Sequence, residues 1–167
     1  GFATSGLVAD ARQLVDRARV QCQVNRITYS DSIPIESLAK AICDFKQSFT
    51  QYGGSRPFGT ALLIAGIDDS GLHLYETDPS GAYQSYHAGA IGRGRNTAVE
   101  YFEKHWKANL TLNAGVKMGL ESLRESLESE LNKDAVEIAV IDADGYRVLS
   151  REDTISHIDK LKPAYDD

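Results

Sequence analysis

Gly53-Gly54-Ser55-Arg56-Pro57-Phe58-Gly59-Thr60-Ala61-Leu62-Leu63-Ile64-Ala65-Gly66-Ile67 sets a shaped turn directly before an apolar strand. Gly53 and Gly54 can take positive φ without a Cβ clash, while Pro57 fixes its own φ and pushes Arg56 toward an extended conformation. Residues 60–67 are apolar at consecutive positions and bounded by turn residues, which predicts a buried central strand. On residue physics alone the glycine-rich part is a connector from a helix into that strand.

Upstream, Leu7, Ala11, Leu14, Ala18 and Cys22 repeat one helical face, with Ser5 placed as an N-cap and Asp10, Arg12, Asp16, Arg17 and Arg19 on the wet side. After a break at residues 28–32, Ile35, Leu38, Ile42, Phe45 and Phe49 mark a second amphipathic helix that Gly53-Gly54 ends. Downstream, Asp68-Asp69-Ser70-Gly71 and Asp78-Pro79-Ser80-Gly81 read as tight turns, so residues 60–88 form three antiparallel strands in a row.

Two helices are expected next. One runs over 97–106 with Val99, Phe102 and Trp106 inward; the other runs over 112–131, capped by Thr111, with Leu112, Val116, Leu120, Leu123 and Leu127 on one stripe. A strand over 136–141, a turn at Asp142-Ala143-Asp144-Gly145 and a partner strand over 146–149 lead to a last helix that starts at Ser150. Helix pair, meander, helix pair, hairpin and helix predict an α+β protein in which helices stack on sheets. Five strands are too little sheet for this many amphipathic helices. Strands are therefore expected to be missing at the N-terminus, where residues 1–4 read as the tail end of one.

The chain has 167 residues and a formal net charge of -6. That balance, with no basic stripe, argues against a nucleic-acid surface. No apolar stretch approaches the roughly 20 residues a membrane helix needs, and residues 1–4 lack the parts of a signal peptide, so a soluble intracellular protein is expected. Cys22 and Cys43 fall on helical patterns, which predicts reduced, buried thiols.

Reactive constellations do not emerge. His73, His87, His105 and His157 lie far apart without ligand spacing, so no metal is expected. Gly92-Arg93-Gly94-Arg95-Asn96-Thr97 approaches a helix N-terminus, but it fails as a dinucleotide fingerprint because the preceding strand belongs to a meander. No GxSxG elbow or Ser, His and Asp set can be assembled, and Thr4 is not a first residue whose own amine could serve as base. No catalytic residue and no cofactor are predicted.

Four motifs in order carry a resemblance: Ser5-Gly6-Leu7-Val8-Ala9-Asp10-Ala11-Arg12, Thr50-Gln51-Tyr52-Gly53-Gly54-Ser55-Arg56-Pro57-Phe58-Gly59, Glu76-Thr77-Asp78-Pro79-Ser80-Gly81 and Ala90-Ile91-Gly92-Arg93-Gly94. Together they closely resemble α-type subunits of the 20S proteasome, archaeal or eukaryotic, over essentially the whole chain. The resemblance implies an α+β fold, the αββα four-layer sandwich of N-terminal-nucleophile hydrolases, here missing its first strands because the family's chain begins before Gly1. Residues 1–167 would form a single domain, the C-terminal major part of that fold.

It also implies a non-catalytic structural subunit of the core particle. In the family such subunits form a heptameric ring that gates substrate entry to catalytic β rings and docks activators. The implied partners are neighbouring α subunits, β-ring subunits, activators or regulatory ATPases and unfolded polypeptide, in the cytoplasm and, for a eukaryotic source, the nucleus. Residue by residue, Tyr52, Gly53, Gly54 and Ser55 match the turn that lines the ring's entrance. Gly6, Leu7 and Val8 match part of the pocket for activator tails, and Asp78 and Ser80 match its surroundings. The family's pocket lysine and its gate tyrosine and aspartate have no counterpart in this sequence. The alternative from the enzyme class is a β-type or other N-terminal-nucleophile hydrolase whose catalytic threonine lies before Gly1.

Overall fold

The computed structural model describes residues 1–127 and 131–161, in two compact units, Gly1–Gly92 and Arg93–Asp167. In the first unit the order is β1 (Phe2–Gly6), α1 (Val8–Tyr29), α2 (Ile35–Gln51), β2 (Thr60–Asp68), β3 (Gly71–Thr77) and β4 (Tyr83–Ser85). The four strands form one antiparallel sheet in the order β1-β2-β3-β4. The 60–67 stretch is thus central, as its apolar run predicted. Burial alternates along β2, with Thr60, Leu62, Ile64 and Gly66 facing inward. Leu62 and Ile64 meet Leu14 and Ala18 of α1 and Leu38 and Ile42 of α2 in one core.

Of residues 1–4, Phe2, Ala3 and Thr4 do belong to a strand, which continues to Gly6. This corrects the N-cap expected at Ser5. Ser5 pairs with Ala61 in the ladder and its carbonyl accepts the Thr60 hydroxyl at 3.0 Å. Leu7 takes the N-cap position of α1, with no side-chain cap, and is 51% exposed rather than first in the buried stripe.

α2 starts after Pro34, which has no capping oxygen. The cap comes from the far end of the sheet, where Asp68 Oδ2 accepts the Ile35 N–H at 2.9 Å. A Cβ on Gly66 would lie 2.3 Å from Ile35 Cδ1, so the strand approaches this helix end closely. Asp68 also accepts from the Ser70 N–H at 2.9 Å, closing the β2–β3 hairpin, whose Gly71 sits at φ +119°.

The second unit holds α3 (Arg95–His105), α4 (Leu112–Leu127), β5 (Ala139–Asp142), β6 (Gly145–Val148) and α5 (Arg151–Asp159). α3 begins two residues before the expected start, and Ala98 is its buried residue, whereas Trp106 is an extended, exposed C-cap residue. Tyr101 of α3 donates to Glu121 of α4 at 2.8 Å. Burial and this acceptor push the Tyr101 phenol up to about 12. Leu120 lies in the core with Ile138, Val140 and Ile158, but Leu112, Leu123 and Leu127 of the expected stripe are exposed. The expected extension of α4 over 128–130 lies outside the described residues.

The expected strand at 136–141 is shorter and pairs β5 with β6 across the Asp142–Gly145 turn. Ser150 caps α5 by accepting the Asp153 N–H at 3.0 Å, as its sequence predicted. Of the thiols, Cys43 is buried and Cys22 half-buried, and both are free. Burial pushes both up, Cys43 to about 11, which keeps them protonated and unreactive at neutral pH.

Candidate functional site

Antiparallel pairing brings three of the four sequence motifs to one end of the first unit's sheet. Gly6, the last residue of β1, stands opposite Thr60, the first of β2. Thr77, the last of β3, stands opposite Leu62. Gly6–Val8, the 52–59 turn and Asp78–Ser80 therefore leave the sheet at the same end.

The 52–59 segment has a loose tip and a clamped arm. Tyr52, Gly53, Gly54 and Ser55 are all exposed, Tyr52 at 70%. The Ser55 N–H donates to Tyr52 O at 3.3 Å, and a Cβ on Gly53 or Gly54 would meet nothing within 4 Å. Gly54 lies at φ +89°, the conformation its lack of a Cβ allows. The arm is different. Asp10 accepts from Arg56 Nη1 at 2.6 Å, from Arg56 Nη2 at 2.8 Å and from the Gly59 N–H at 2.9 Å. The Arg56 fork, and next the Gly59 N–H, hold the Asp10 carboxyl down to about 2. Phe58 packs against Phe49 and Phe45 of α2, with ring centroids 4.9 and 5.6 Å apart.

The Gly6–Val8 bend is exposed. It touches the same arm, since the Leu7 N–H donates to Gly59 O at 2.8 Å. Gly6 takes φ +118°, and a Cβ there would lie 2.2 Å from Gly59 O. Asp78 builds its turn from one oxygen, Oδ1, which accepts the Ser80 hydroxyl at 2.6 Å and the N–H groups of Ser80, Gly81 and Ala82 at 2.8, 3.0 and 3.0 Å. Gly81, at φ +96°, presses this turn onto α2, where a Cβ would lie 2.7 Å from Cys43 O.

Beneath these segments lies a buried ammonium. Lys46 is 0% exposed and donates to Thr60 O and to Thr77 Oγ1, each at 3.0 Å. One cation thus ties the start of β2 to the end of β3. Burial lowers its pKa from the usual lysine value, against smaller opposing effects of Cys43 and Asp78.

Sequence reasoning missed both supports. Asp10, which the sequence pattern places on the wet face of α1, is buried. Lys46 stands four residues after Ile42, on the apolar face, where its charge hides it from an apolar pattern. A charged residue at an apolar-face position is the available signal for such a role.

A Ser, His and Asp set does come together at the other end of the sheet, within one hairpin. The Ser70 hydroxyl donates to Asp68 Oδ1 at 2.6 Å, and His73 Nε2 lies 2.8 Å from Ser70 Oγ and 3.0 Å from Asp68 Oδ1. A proton relay needs the hydroxyl on one ring nitrogen and the carboxylate on the other. Here both contacts fall on Nε2 and the hydroxyl proton faces the carboxylate, so the set is a hairpin brace that also caps α2. It borders an open cleft of about 460 Å³ lined by Asp31, Pro34, Asp69 and Ser70 among others. Among the described residues, no group of three or more His, Cys, Asp or Glu side chains could hold a metal ion, and no helix is long and apolar enough to cross a membrane.

These features define a class of α+β protein whose distinctive positions are backbone turns on a clamped sheet end. The chain belongs to the proteasome subunit family, whose model matches residues 1–141. It is 50% identical over 163 residues to a protein named "Proteasome subunit alpha" from Methanothermobacter thermautotrophicus, a match that covers 96% of this chain and 66% of the relative. Proteins of the same name from Methanopyrus kandleri and Archaeoglobus fulgidus are 51% and 49% identical. Those matches cover 91% and 95% of this chain, and 62% and 65% of the relatives. The chain thus spans just under two thirds of the length of these curated relatives.

Proposed function

We propose that this chain is part of a non-catalytic α subunit of a 20S proteasome core particle, working in the cytoplasm as one member of a heptameric ring. The ring stacks on β rings, admits unfolded polypeptide and receives activators. In that reading residues 1–167 belong to a single domain of the four-layer sandwich. Tyr52, Gly53, Gly54 and Ser55 line the entrance. Gly6, Leu7 and Val8, with Asp78 and Ser80 nearby, form part of the pocket for activator tails. The observation that carries it is the convergence of all three segments at one sheet end, with an exposed glycine tip on a clamped arm. The α name of the relatives speaks against a β-type hydrolase.

The test is native mass spectrometry and electron microscopy of the full-length subunit, followed by degradation assays on the particle assembled with its β partner. Seven-membered rings are expected. Gly53→Phe, which fills open space at the tip, should slow unfolded-protein degradation several-fold while ring formation is unchanged. A stable folded monomer at assembly concentrations, or a processed N-terminal threonine with peptidase activity of its own, would overturn the reading.

A further inference from the structure

We propose that Asp10 and Arg56 are a positioning pair that carries displacement of the Gly6–Val8 bend to the Tyr52–Ser55 turn. This rests on the functional reading of those two segments and adds the mechanical link between them.

Both backbone groups of Gly59 are held by the start of α1: its carbonyl accepts the Leu7 N–H at 2.8 Å, and its N–H donates to Asp10 at 2.9 Å. Side-chain contact closes the remaining side, because a Cβ on Gly59 would lie 2.7 Å from Leu7 Cδ1. At the other end of the arm, the same Asp10 carboxylate takes both Nη groups of Arg56. A bidentate fork fixes direction as well as distance. Between Arg56 and Gly59 stands Pro57, whose ring removes a soft torsion. Residues 56–59 therefore move as one body with the first turn of α1.

Nothing comparable restrains residues 52–55, where the two glycines face open space. A shift imposed at Leu7 or Val8 moves the arm and swings the tip. The pair joins a buried carboxylate to a guanidinium side chain that is 64% exposed, so its fixed end lies in α1 and its outer end lies on the arm.

The experiment uses full-length subunit rings assembled with β partners. A nitroxide label at Ser55→Cys reports the tip, and a synthetic peptide copying the C-terminal tail of an archaeal proteasome activator is the probe. In the parent ring the peptide should change the label's mobility and stimulate peptide hydrolysis. In Asp10→Asn and in Arg56→Lys, which keeps the charge but loses the fork, rings should assemble and bind the peptide. Stimulation should fall at least about fivefold, the lower range of allosteric couplings, and the label should no longer respond.

Full stimulation and label response in both variants would overturn the pair while leaving the functional reading intact. Failure of both variants to assemble would assign the pair to folding and also overturn it. Absence of rings, or of any tail response in the parent, would refute the functional reading and this inference with it.

Discussion

Gly6→Ala measures how tightly the Gly6–Val8 bend is pinned to the sheet. Gly6 occupies φ +118° and its new Cβ would lie 2.2 Å from Gly59 O and 3.0 Å from Thr60 Cα. Both are backbone atoms of the paired segment, so no rotamer change relieves the clash. Carbon and carbonyl oxygen come to rest at about 3.3 Å or more, so the segment must retreat by about 1 Å. That retreat breaks the 2.8 Å Leu7–Gly59 hydrogen bond, worth about 1 kcal/mol. The strained φ adds about 1–3 kcal/mol, for a total of about 2–4 kcal/mol.

Gly71→Ala supplies the internal control, because Gly71 has φ +119° but nothing within 4 Å of its Cβ position. It carries the dihedral cost alone. Urea unfolding of the full-length subunit, at fixed protein concentration because assembly shifts apparent stability by mass action, should place Gly6→Ala below Gly71→Ala. With a slope of about 2 kcal/mol/M, the gap is at least about 0.5 M in midpoint. Equal midpoints would refute the clamp at Gly59.

Two further outcomes follow from the charged supports. Lys46→Met should flatten the alkaline side of the stability profile. The folded pKa of Lys46 is lowered, so the unfolded chain binds more protons and the parent gains stability from the folded value up to about 10.5; parallel urea midpoints for parent and variant across pH 7–10.5 would sink the burial argument. Asp68→Asn should flatten the acid side. The Ser70 hydroxyl, then the Ile35 N–H, hold the Asp68 carboxyl well below the usual carboxylate range, so its stabilisation is complete above about pH 4 and lost as pH falls through the folded value. Thermal melts from pH 7 to pH 2 that run parallel for both proteins would contradict it.

The elements most legible in the sequence were those with local punctuation. Residues 60–67 lie between Pro57-Phe58-Gly59 and Asp68-Asp69-Ser70-Gly71, and Asp142–Gly145 marks its own hairpin. Ser150 announces its cap because the capped N–H is three residues away. Misreadings arose where a distant partner outweighed a local signal. Ser5 before Leu7 looks like a helix cap, yet its partner Ala61 draws it into the sheet. The α2 cap is Asp68, separated by 33 residues from Ile35. Leu112, Leu123 and Leu127 keep helical spacing without being buried, since periodicity fixes a shared face and not what covers it. The family motifs were readable as turns, but composition alone gave them no role.

The polar residues of the core sharpen that last point. In the first unit, the buried polar and charged residues are Asp10, Lys46, Thr60 and Thr77, and all four lie at the sheet end that carries the three motif segments. Apolar replacements would relieve the cost of burying two ionisable groups. Hydrophobic contact, however, is non-directional and cannot specify where a carbonyl or an N–H points. Lys46 fixes the Thr60 carbonyl, Asp10 fixes the Gly59 N–H and the Arg56 fork, and Thr60 fixes the Ser5 carbonyl. Among the described residues no buried side-chain nitrogen or oxygen is left without a partner, the condition under which a buried polar network rigidifies its surroundings instead of weakening them. The opposite sheet end is held mainly by Asp68, at the hairpin. Directional restraint is concentrated at the sheet end where the Gly6–Val8 bend and the 56–59 arm meet, and the proposed site, built from backbone turns, would depend on that support more than on any reactive side chain.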